Sequence, residues 1–164
     1  MSISGNYVRV SEHVLSELHA NPSEVDDFLN EQQEDSPEGY LDIDKSWHII
    51  HFLLTGTESE CGAPWGNAVM GGAQLSDDDL GNGEYPRFLT PAEVRDVSGA
   101  LETVSPQQLV ERWDVRRISA ADIYPQIWDD LPENREYVSD FYEELRDLFA
   151  IAGQNGDAII LWRN

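Results

Sequence analysis

Hydrophobic residues are most concentrated between Trp47 and Leu54, in the sequence WHIIHFLL. At helical spacing these side chains point to every side of the stretch, which is the pattern of a helix with packing partners on both faces. Asp44 or Asp42 can cap the start, and Gly56 can adopt the left-handed conformation that ends a helix. The pattern therefore predicts one central, buried helix within residues 40–58, YLDIDKSWHIIHFLLTGTE.

Three further helix starts carry one shared signal, a polar capping residue followed by proline and then by Glu or Gln. The three segments are Asn21-Pro22-Ser23-Glu24, Thr90-Pro91-Ala92-Glu93 and Ser105-Pro106-Gln107-Gln108. The polar side chains satisfy free backbone amides, and proline fixes the first turn. Ser11 predicts another helix start directly after a strand. Apolar residues at three-and-four spacing from Tyr137 to Ala152 predict the last helix, ending at Gly153.

Strand patterns occur in four short segments, at residues 6–10, 66–72, 85–89 and 158–162. The last of them, AIILW, is an unbroken apolar run, which is typical of a strand buried on both faces. Residues 31–39, EQQEDSPEG, contain no apolar residue and are expected to form an exposed loop. The order of elements predicts an α+β fold. We expect a single domain over residues 1–164, with about four mostly antiparallel or mixed strands packed with several helices.

Four of these segments together resemble the bacterial YfbM-like family, a domain of unknown function. They read LDIDKSWHIIHFLLTGT, WGNAVMGG, RFLTPAEV and DIYPQIW, and the resemblance as a whole spans nearly the whole chain. The resemblance implies that the chain is one YfbM-like domain. It brings no established reaction, so it assigns no role to any residue.

Charge is distributed unevenly along the chain. The sequence has 32 acidic and 10 basic residues, a formal net charge of −22, and residues 10–86 alone hold 17 acids and one base, Lys45. A field of this sign repels nucleic acids and anionic membranes, and it speeds encounter with basic partners. We therefore expect no nucleic-acid or membrane partner, and a basic protein is the partner class that the charge favours. Taken alone, however, the charge favours the alternative, an acidic surface kept for solubility or for a salt-tolerant host, over a dedicated basic partner.

The cellular compartment is expected to be the cytoplasm. Cys61 is the single cysteine, which excludes an internal disulfide, and the first residues lack the basic start and apolar core of a signal peptide. The longest apolar run is far shorter than the roughly 20 residues that a membrane span needs. No P-loop, dinucleotide fingerprint or nucleophile elbow is present, so no cofactor is expected.

Two histidines on the central helix are the first candidates for chemistry. His48 and His51 lie three residues apart, and Asp44 lies one turn before His48, so the three residues are weak candidates for a metal site. The motif lacks the glutamate of HExxH, and three ligands from one helix cannot surround an ion, so we expect no bound metal. The alternative interpretation places His48 at the surface or in the capping turn and makes His51 a hydrogen-bonded core histidine. Cys61 is a third catalytic candidate, but the neighbouring acids disfavour a reactive thiolate.

A cluster of acidic residues between Asp77 and Glu84 resembles a calcium-binding loop in composition. The acids at Asp77, Asp78 and Asp79, with Asn82 and Glu84, lack the alternating spacing of a calcium loop, which favours a solvated loop.

Aromatic residues outside the periodic segments form a further group of candidates. Trp65, Tyr124 and Trp128 line a concave ligand-binding surface or, alternatively, close the core. Arg87 either pairs with an acid or holds an anionic ligand.

Taken together, these features favour a non-enzymatic, acidic protein-binding domain, for instance an inhibitor or immunity-type partner of a basic protein. The alternative is a small hydrolase or metal-assisted enzyme that uses His48 and His51.

Overall fold

The computed structural model describes residues 2–164. Its centre is an open, fully antiparallel sheet with the strand order β2-β1-β5-β4-β3. The strands are β1 (Gly5–Val10), β2 (Tyr40–Asp42), β3 (Ala73–Gln74), β4 (Arg87–Leu89) and β5 (Ala158–Arg163). The predicted α+β class is confirmed, with five strands instead of about four.

Seven α-helices surround this sheet. They are α1 (Glu12–Ala20), α2 (Val25–Asp35), α3 (Trp47–Thr55), α4 (Pro91–Glu102), α5 (Pro106–Val110), α6 (Val115–Ala120) and α7 (Pro132–Asn155). Within residues 2–164, none of them is both long and apolar enough to cross a membrane.

The middle strand, β5, separates two apolar cores because its side chains alternate between the sheet faces. On one face, Leu161 lies opposite Tyr7 of β1 and joins the core formed with α3, α4 and α7. On the other face, Ile160 lies opposite Val8 and packs with α1 and α2. The predicted burial of β5 on both faces is therefore confirmed.

The predicted central helix is real but shorter than residues 40–58. Every residue from Trp47 to Leu54 is buried, and Gly56 ends the helix in the left-handed conformation at φ 78°. Neither Asp42 nor Asp44 caps α3, so that expectation was wrong. Residues 40–42 pair with β1 instead, and the Asp42 carboxylate accepts a hydrogen bond from the Asp44 amide in a turn with φ 49° at Asp44.

The capping signals were correct at three of the four predicted helix starts. Thr90 and Ser105 each form a complete capping box, and the Ser11 hydroxyl accepts a hydrogen bond from the amide of Val14. Asn21 does not cap a helix, because its side-chain amide donates to the carbonyl of Glu17 at the end of α1. A short 3₁₀ turn follows it before α2 begins.

Two predicted boundaries shift because helix formers extend the helices. Instead of a loop at residues 31–39, α2 continues through Asp35 and ends at Ser36 with φ 43°, since Glu and Gln favour helix even without apolar neighbours. The last helix runs past Gly153 to a left-handed cap at Gly156. Gly153 instead packs close to Ser98 of α4, where a Cβ would lie 3.6 Å from the serine Cβ.

The strand predicted at residues 66–72 is absent from the described structure, which has a 3₁₀ turn and a tight bend there. A Cβ at Gly66 would lie 1.9 Å from the carbonyl oxygen of Cys61, and Gly72 adopts φ 94° against the carbonyl of Phe88. The glycines therefore serve close backbone packing rather than a strand. The strand predicted at residues 85–89 is present as β4, which pairs with β3 and β5.

Several arginines are used to complete helix C-termini. Arg112 donates to the carbonyl of Leu53 at 3.0 Å, Arg135 donates to that of Val110 at 3.0 Å, and Arg146 donates to that of Leu101 at 3.1 Å. The last carbonyls of a helix lack partners within it and carry the negative end of its dipole. These cations therefore act inside the fold.

Candidate functional site

His48 is held between two main-chain groups. Its Nδ1 lies 2.8 Å from the amide nitrogen of Tyr124, and its Nε2 lies 2.9 Å from the carbonyl oxygen of Glu58. An amide donates and a carbonyl accepts, so the ring is neutral with its proton on Nε2. Burial is the main cause that lowers the pKa of His48, which is 8% exposed. Both ring nitrogens are therefore occupied by hydrogen bonds to the main chain.

His51 is buried more completely, with none of its surface exposed. Its Nε2 lies 2.8 Å from the carbonyl oxygen of Ser59, while its Nδ1 has no hydrogen-bond partner among residues 2–164. Burial lowers the pKa of His51 as well. The two histidines thus link α3 to the segment at residues 58–59. The core interpretation of His51 is confirmed, whereas the surface or capping-turn position expected for His48 is wrong, because its ring is buried between two main-chain groups.

The third metal-ligand candidate, Asp44, has other partners. Its carboxylate accepts hydrogen bonds from the Tyr137 hydroxyl at 2.5 Å and from the Lys45 ammonium at 3.4 Å. Partial burial opposes ionisation, but these two donors lower the pKa of Asp44 overall. Over residues 2–164 the structure gathers no group of three or more His, Cys, Asp or Glu able to hold a metal. Cys61 is exposed in the following loop.

The remaining candidates from the sequence are dispersed. Arg87 pairs with Glu60 at 3.0 Å and donates to the carbonyl of Gly72 at 3.1 Å, so its guanidinium is occupied. Trp65 is half-buried against the core.

The acids at residues 77–84 do not converge on a shared point. Asp79 accepts from the amides of Gly81 and Gly83, whereas Glu84 pairs with Arg163. They form the solvated loop expected from their spacing.

Trp47 is the centre of an aromatic stack beside His48. Its ring stacks on that of His48, with centroids 4.8 Å apart, and on that of Tyr124 at 5.5 Å. The Arg163 guanidinium lies 4.8 Å from the Trp47 ring centre. The indole nitrogen donates to the carbonyl of Ile3 at 2.9 Å. The stack therefore joins α3, the N-terminal segment, the end of β5 and the loop between α6 and α7 at residues 121–131, called here the Tyr124 loop.

Two cavities open beside this stack. The first, called here the aromatic cavity, has a volume of about 370 Å³ and is lined by Ile3, Trp47, His48, Asp122, Tyr124, Pro125 and Gln126. The second, called the acidic cavity, has a volume of about 360 Å³ and is lined by residues 118–123 with Gln126, Trp128 and Asp129. The two cavities share Asp122 and Gln126, whose side chains are hydrogen-bonded to each other.

Sequence reasoning singled out Tyr124 and Trp128 but missed the acids beside them. Asp122 and Asp129 reach one cavity because the chain reverses between them, with Gln126 in the left-handed conformation at φ 67°. The signal available in the sequence was the dense mixture of aromatic and acidic residues in DIYPQIWDD.

A different surface carries the most uneven charge. The α1–α2 layer, residues 12–35, covers one face of the sheet and contains no lysine or arginine. Its acids are all exposed: Glu12, Glu17, Glu24, Asp26, Asp27, Glu31, Glu34 and Asp35. The ion pairs of this layer within residues 2–164 are limited to that of Glu17 with His13. We call these eight side chains the acidic layer.

Comparison with known proteins identifies relatives that share this architecture. Residues 1–162 match the model of the family described as DUF1877, a domain of unknown function. Protein YfbM of Escherichia coli K12 is 31% identical over 90 residues, which are 53% of this chain and 52% of that protein. The crystal structure of YfbM from Escherichia coli, titled a protein of unknown function, superposes with a TM-score of 0.72 at 20% identity, over 98% of this chain and 99% of that one.

Proposed function

The chain belongs to the DUF1877 family, whose description assigns no function, and we propose that this member is a non-enzymatic binding protein for a basic protein partner. The docking surface is the acidic layer on α1 and α2. The observation that carries the proposal is that eight exposed carboxylates share one layer in which the chain places no lysine or arginine.

The arginines and the acidic layer lie in different parts of the molecule. Most arginines bind helix ends or acids outside the acidic layer, whereas the ion pairs of that layer among residues 2–164 are limited to Glu17 with His13. Unpaired like charges on one surface produce a potential that steers an oppositely charged protein and raises its association rate. A basic surface would relieve the repulsion within the layer.

The acidic layer also has a rigid base. Leu15, Leu18, Val25 and Leu29 anchor both helices to the sheet. On α2, the Gln33 side chain hydrogen-bonds to the side chain of Asn164 at the end of the chain. The helices that carry the carboxylates are therefore held in place, so binding costs less backbone conformational entropy than it would with a flexible acidic tail.

The geometry gives the enzyme alternative less support. A general base needs a ring nitrogen free to take a proton from a substrate. The two nitrogens of His48 are bonded to main-chain groups, and His51 has no solvent-exposed surface. A role as an inhibitor or immunity-type partner, in which the acidic layer covers a basic active surface, is one concrete form of the binding function.

The test is affinity capture from extracts of the source organism with two charge-neutralised baits. The first bait carries Glu24→Gln, Asp26→Asn, Asp27→Asn and Glu31→Gln in the acidic layer. The matched control removes the same charge from exposed acids of α7, with Glu136→Gln, Asp140→Asn, Glu143→Gln and Asp147→Asn. Both sets keep side-chain size nearly constant and leave the apolar anchors untouched.

We expect the wild type and the α7 control to recover the same basic protein, and the acidic-layer variant to lose it. Circular dichroism of the three baits establishes that each is folded. A partner retained by the acidic-layer variant, or lost equally with both variants, contradicts docking on this layer.

A further inference from the structure

The aromatic and acidic cavities meet at the hydrogen-bonded pair of Asp122 and Gln126. We propose that together they form a binding site for an organic cation, an ammonium or guanidinium group carried on an apolar or aromatic body. This site lies on the Tyr124 loop and is independent of the acidic layer.

The charge of the acidic cavity selects a cation. Asp122 and Asp129 are the ionisable residues of its lining, and the 118–129 segment that forms it contains no lysine or arginine. Among the ion pairs of residues 2–164, neither carboxylate has a partner, whereas the adjacent Asp130 is held by Arg135 at 2.6 Å. A cation that enters therefore meets two solvent-exposed carboxylates without an ion pair among residues 2–164, one of which, Asp122, accepts a hydrogen bond from the neutral Gln126 amide.

Aromatic and apolar groups provide the second half of the site. Trp128 lines the acidic cavity, and the faces of tryptophan rings attract ammonium and guanidinium groups. Ile3, Trp47, Tyr124 and Pro125 line the aromatic cavity on the other side of the Asp122–Gln126 bridge. Each cavity falls within the several-hundred Å³ range of small-molecule sites.

Hydrogen bonds hold the aromatic walls of the site in place before a ligand arrives. The indole nitrogen of Trp128 donates to the carbonyl of Tyr124 at 2.8 Å, and the Tyr124 hydroxyl accepts from the amide of Ile3 at 2.7 Å. At the rim, Gln126 keeps φ 67°, a conformation that costs free energy for a residue other than glycine.

The bound arrangement follows from these walls. The ligand's ammonium group takes the place of the Gln126 amide beside the Asp122 carboxylate and faces Asp129 across the acidic cavity. Its apolar body lies against Tyr124 and Pro125 in the aromatic cavity. The same chemistry is available from a free amine or from an arginine side chain of a peptide.

Titration of the full chain by calorimetry tests the site with three probes. Tryptamine supplies a free aromatic amine, its alcohol analogue tryptophol removes only the charge, and N-acetylarginine amide represents a peptide side chain. The variants are Asp122→Asn and Asp129→Asn, with Asp140→Asn on the exposed face of α7 as the control. The indole N–H resonance of Trp128 reports binding in the wild-type protein directly.

We expect tryptamine, the arginine derivative or both to bind, to shift the Trp128 resonance and to lose at least about tenfold in affinity in each cavity variant, as removal of one close charge partner predicts. Asp140→Asn should bind as the wild type does. Binding of the arginine derivative alone identifies a peptide source, and binding of tryptamine alone identifies a free amine. Equal binding of tryptophol, equal binding by the cavity variants, or no binding of either cation overturns the proposal.

Discussion

The amide of Tyr124 donates a hydrogen bond to Nδ1 of His48 at 2.8 Å, which links a loop to a buried helix 76 positions earlier in the chain. Because the same ring donates its single N–H proton, on Nε2, to the carbonyl of Glu58, His48 connects three segments at once. Protonation of Nδ1 would place two donors against each other. The ring that sequence reasoning offered as a catalyst is a pH-sensitive structural contact.

Stability should therefore fall below neutral pH. Burial lowers the pKa of His48 and His51 in the folded protein below the ordinary 6.5, so the unfolded chain binds protons more readily. The stabilisation is complete above about pH 6.5 and is lost as the pH falls below it, by at most about 1.4 kcal/mol per pH unit for each histidine. Urea unfolding at about pH 7.5, 6.5 and 5.5 measures this loss.

Variants of the two histidines show whether these side chains cause the change of unfolding free energy with pH. His48→Gln and His51→Gln should each reduce this pH dependence, by up to about 1.4 kcal/mol per pH unit. A free energy of unfolding that stays constant from about pH 7.5 to about pH 5.5 would show that the buried histidines do not titrate as described.

Replacing Trp47 with alanine should reduce the free energy of unfolding by roughly 3–5 kcal/mol, the usual range for a large buried aromatic residue. The ring is 6% exposed and stacks on both His48 and Tyr124. Thermal and urea unfolding measure the loss. Tyr85→Ala, at a ring that is 36% exposed, is the comparison and should cost much less. A Trp47→Ala protein as stable as the wild type would place α3 outside the core.

Adding one methyl group at Gly66 should be strongly destabilising, by about 2 kcal/mol or more, because the new Cβ meets a main-chain carbonyl that cannot move freely. Gly99→Ala is the matched change. Among residues 2–164, no atom outside the local helix backbone lies within 4 Å of a Cβ at Gly99 in α4, so alanine should stabilise the helix by about 0.5–1 kcal/mol. Melting temperatures of the two variants should move in opposite directions, and a shift in the same direction contradicts the tight bend.

The end of α2 allows a further matched pair of glycine variants. Ser36 occupies the left-handed C-cap at φ 43°, so Ser36→Gly should stabilise the protein by about 0.5–1 kcal/mol. Ser16→Gly, inside α1 and exposed, should destabilise it by a similar amount. Chemical denaturation distinguishes the two, and equal effects would show that Ser36 is not under backbone strain.

Local rules in the sequence were enough to predict much of the architecture. The capping boxes at Thr90 and Ser105, the left-handed end at Gly56 and the twice-buried strand β5 each depend on neighbouring residues alone. The bend at Gly66 was not predictable in this way. The bend requires glycine because the Cys61 carbonyl lies close by in the fold. The sequence shows the glycine but not that contact.

The candidate site was predictable to a smaller extent. Tyr124 and Trp128 were recognisable because they interrupt regular periodicity, but the sharing of Asp122 by two cavities depends on the turn at Gln126. The roles of the histidines also depend on tertiary structure. Helical spacing placed His48 and His51 near each other, and only the fold shows the distant main-chain groups that occupy them.

The central claim, that charge on the acidic layer drives recognition, is tested most directly by the salt dependence of the dissociation constant for the captured partner. Charges at the protein surface are screened within about 8 Å at physiological ionic strength, so affinity for the wild type should fall steeply from about 0.05 M to about 0.5 M salt. The acidic-layer variant should bind weakly over this whole salt range, and its affinity should depend much less on salt. The α7 control should follow the wild type. A partner that binds all three proteins equally well in low and high salt would contradict the account.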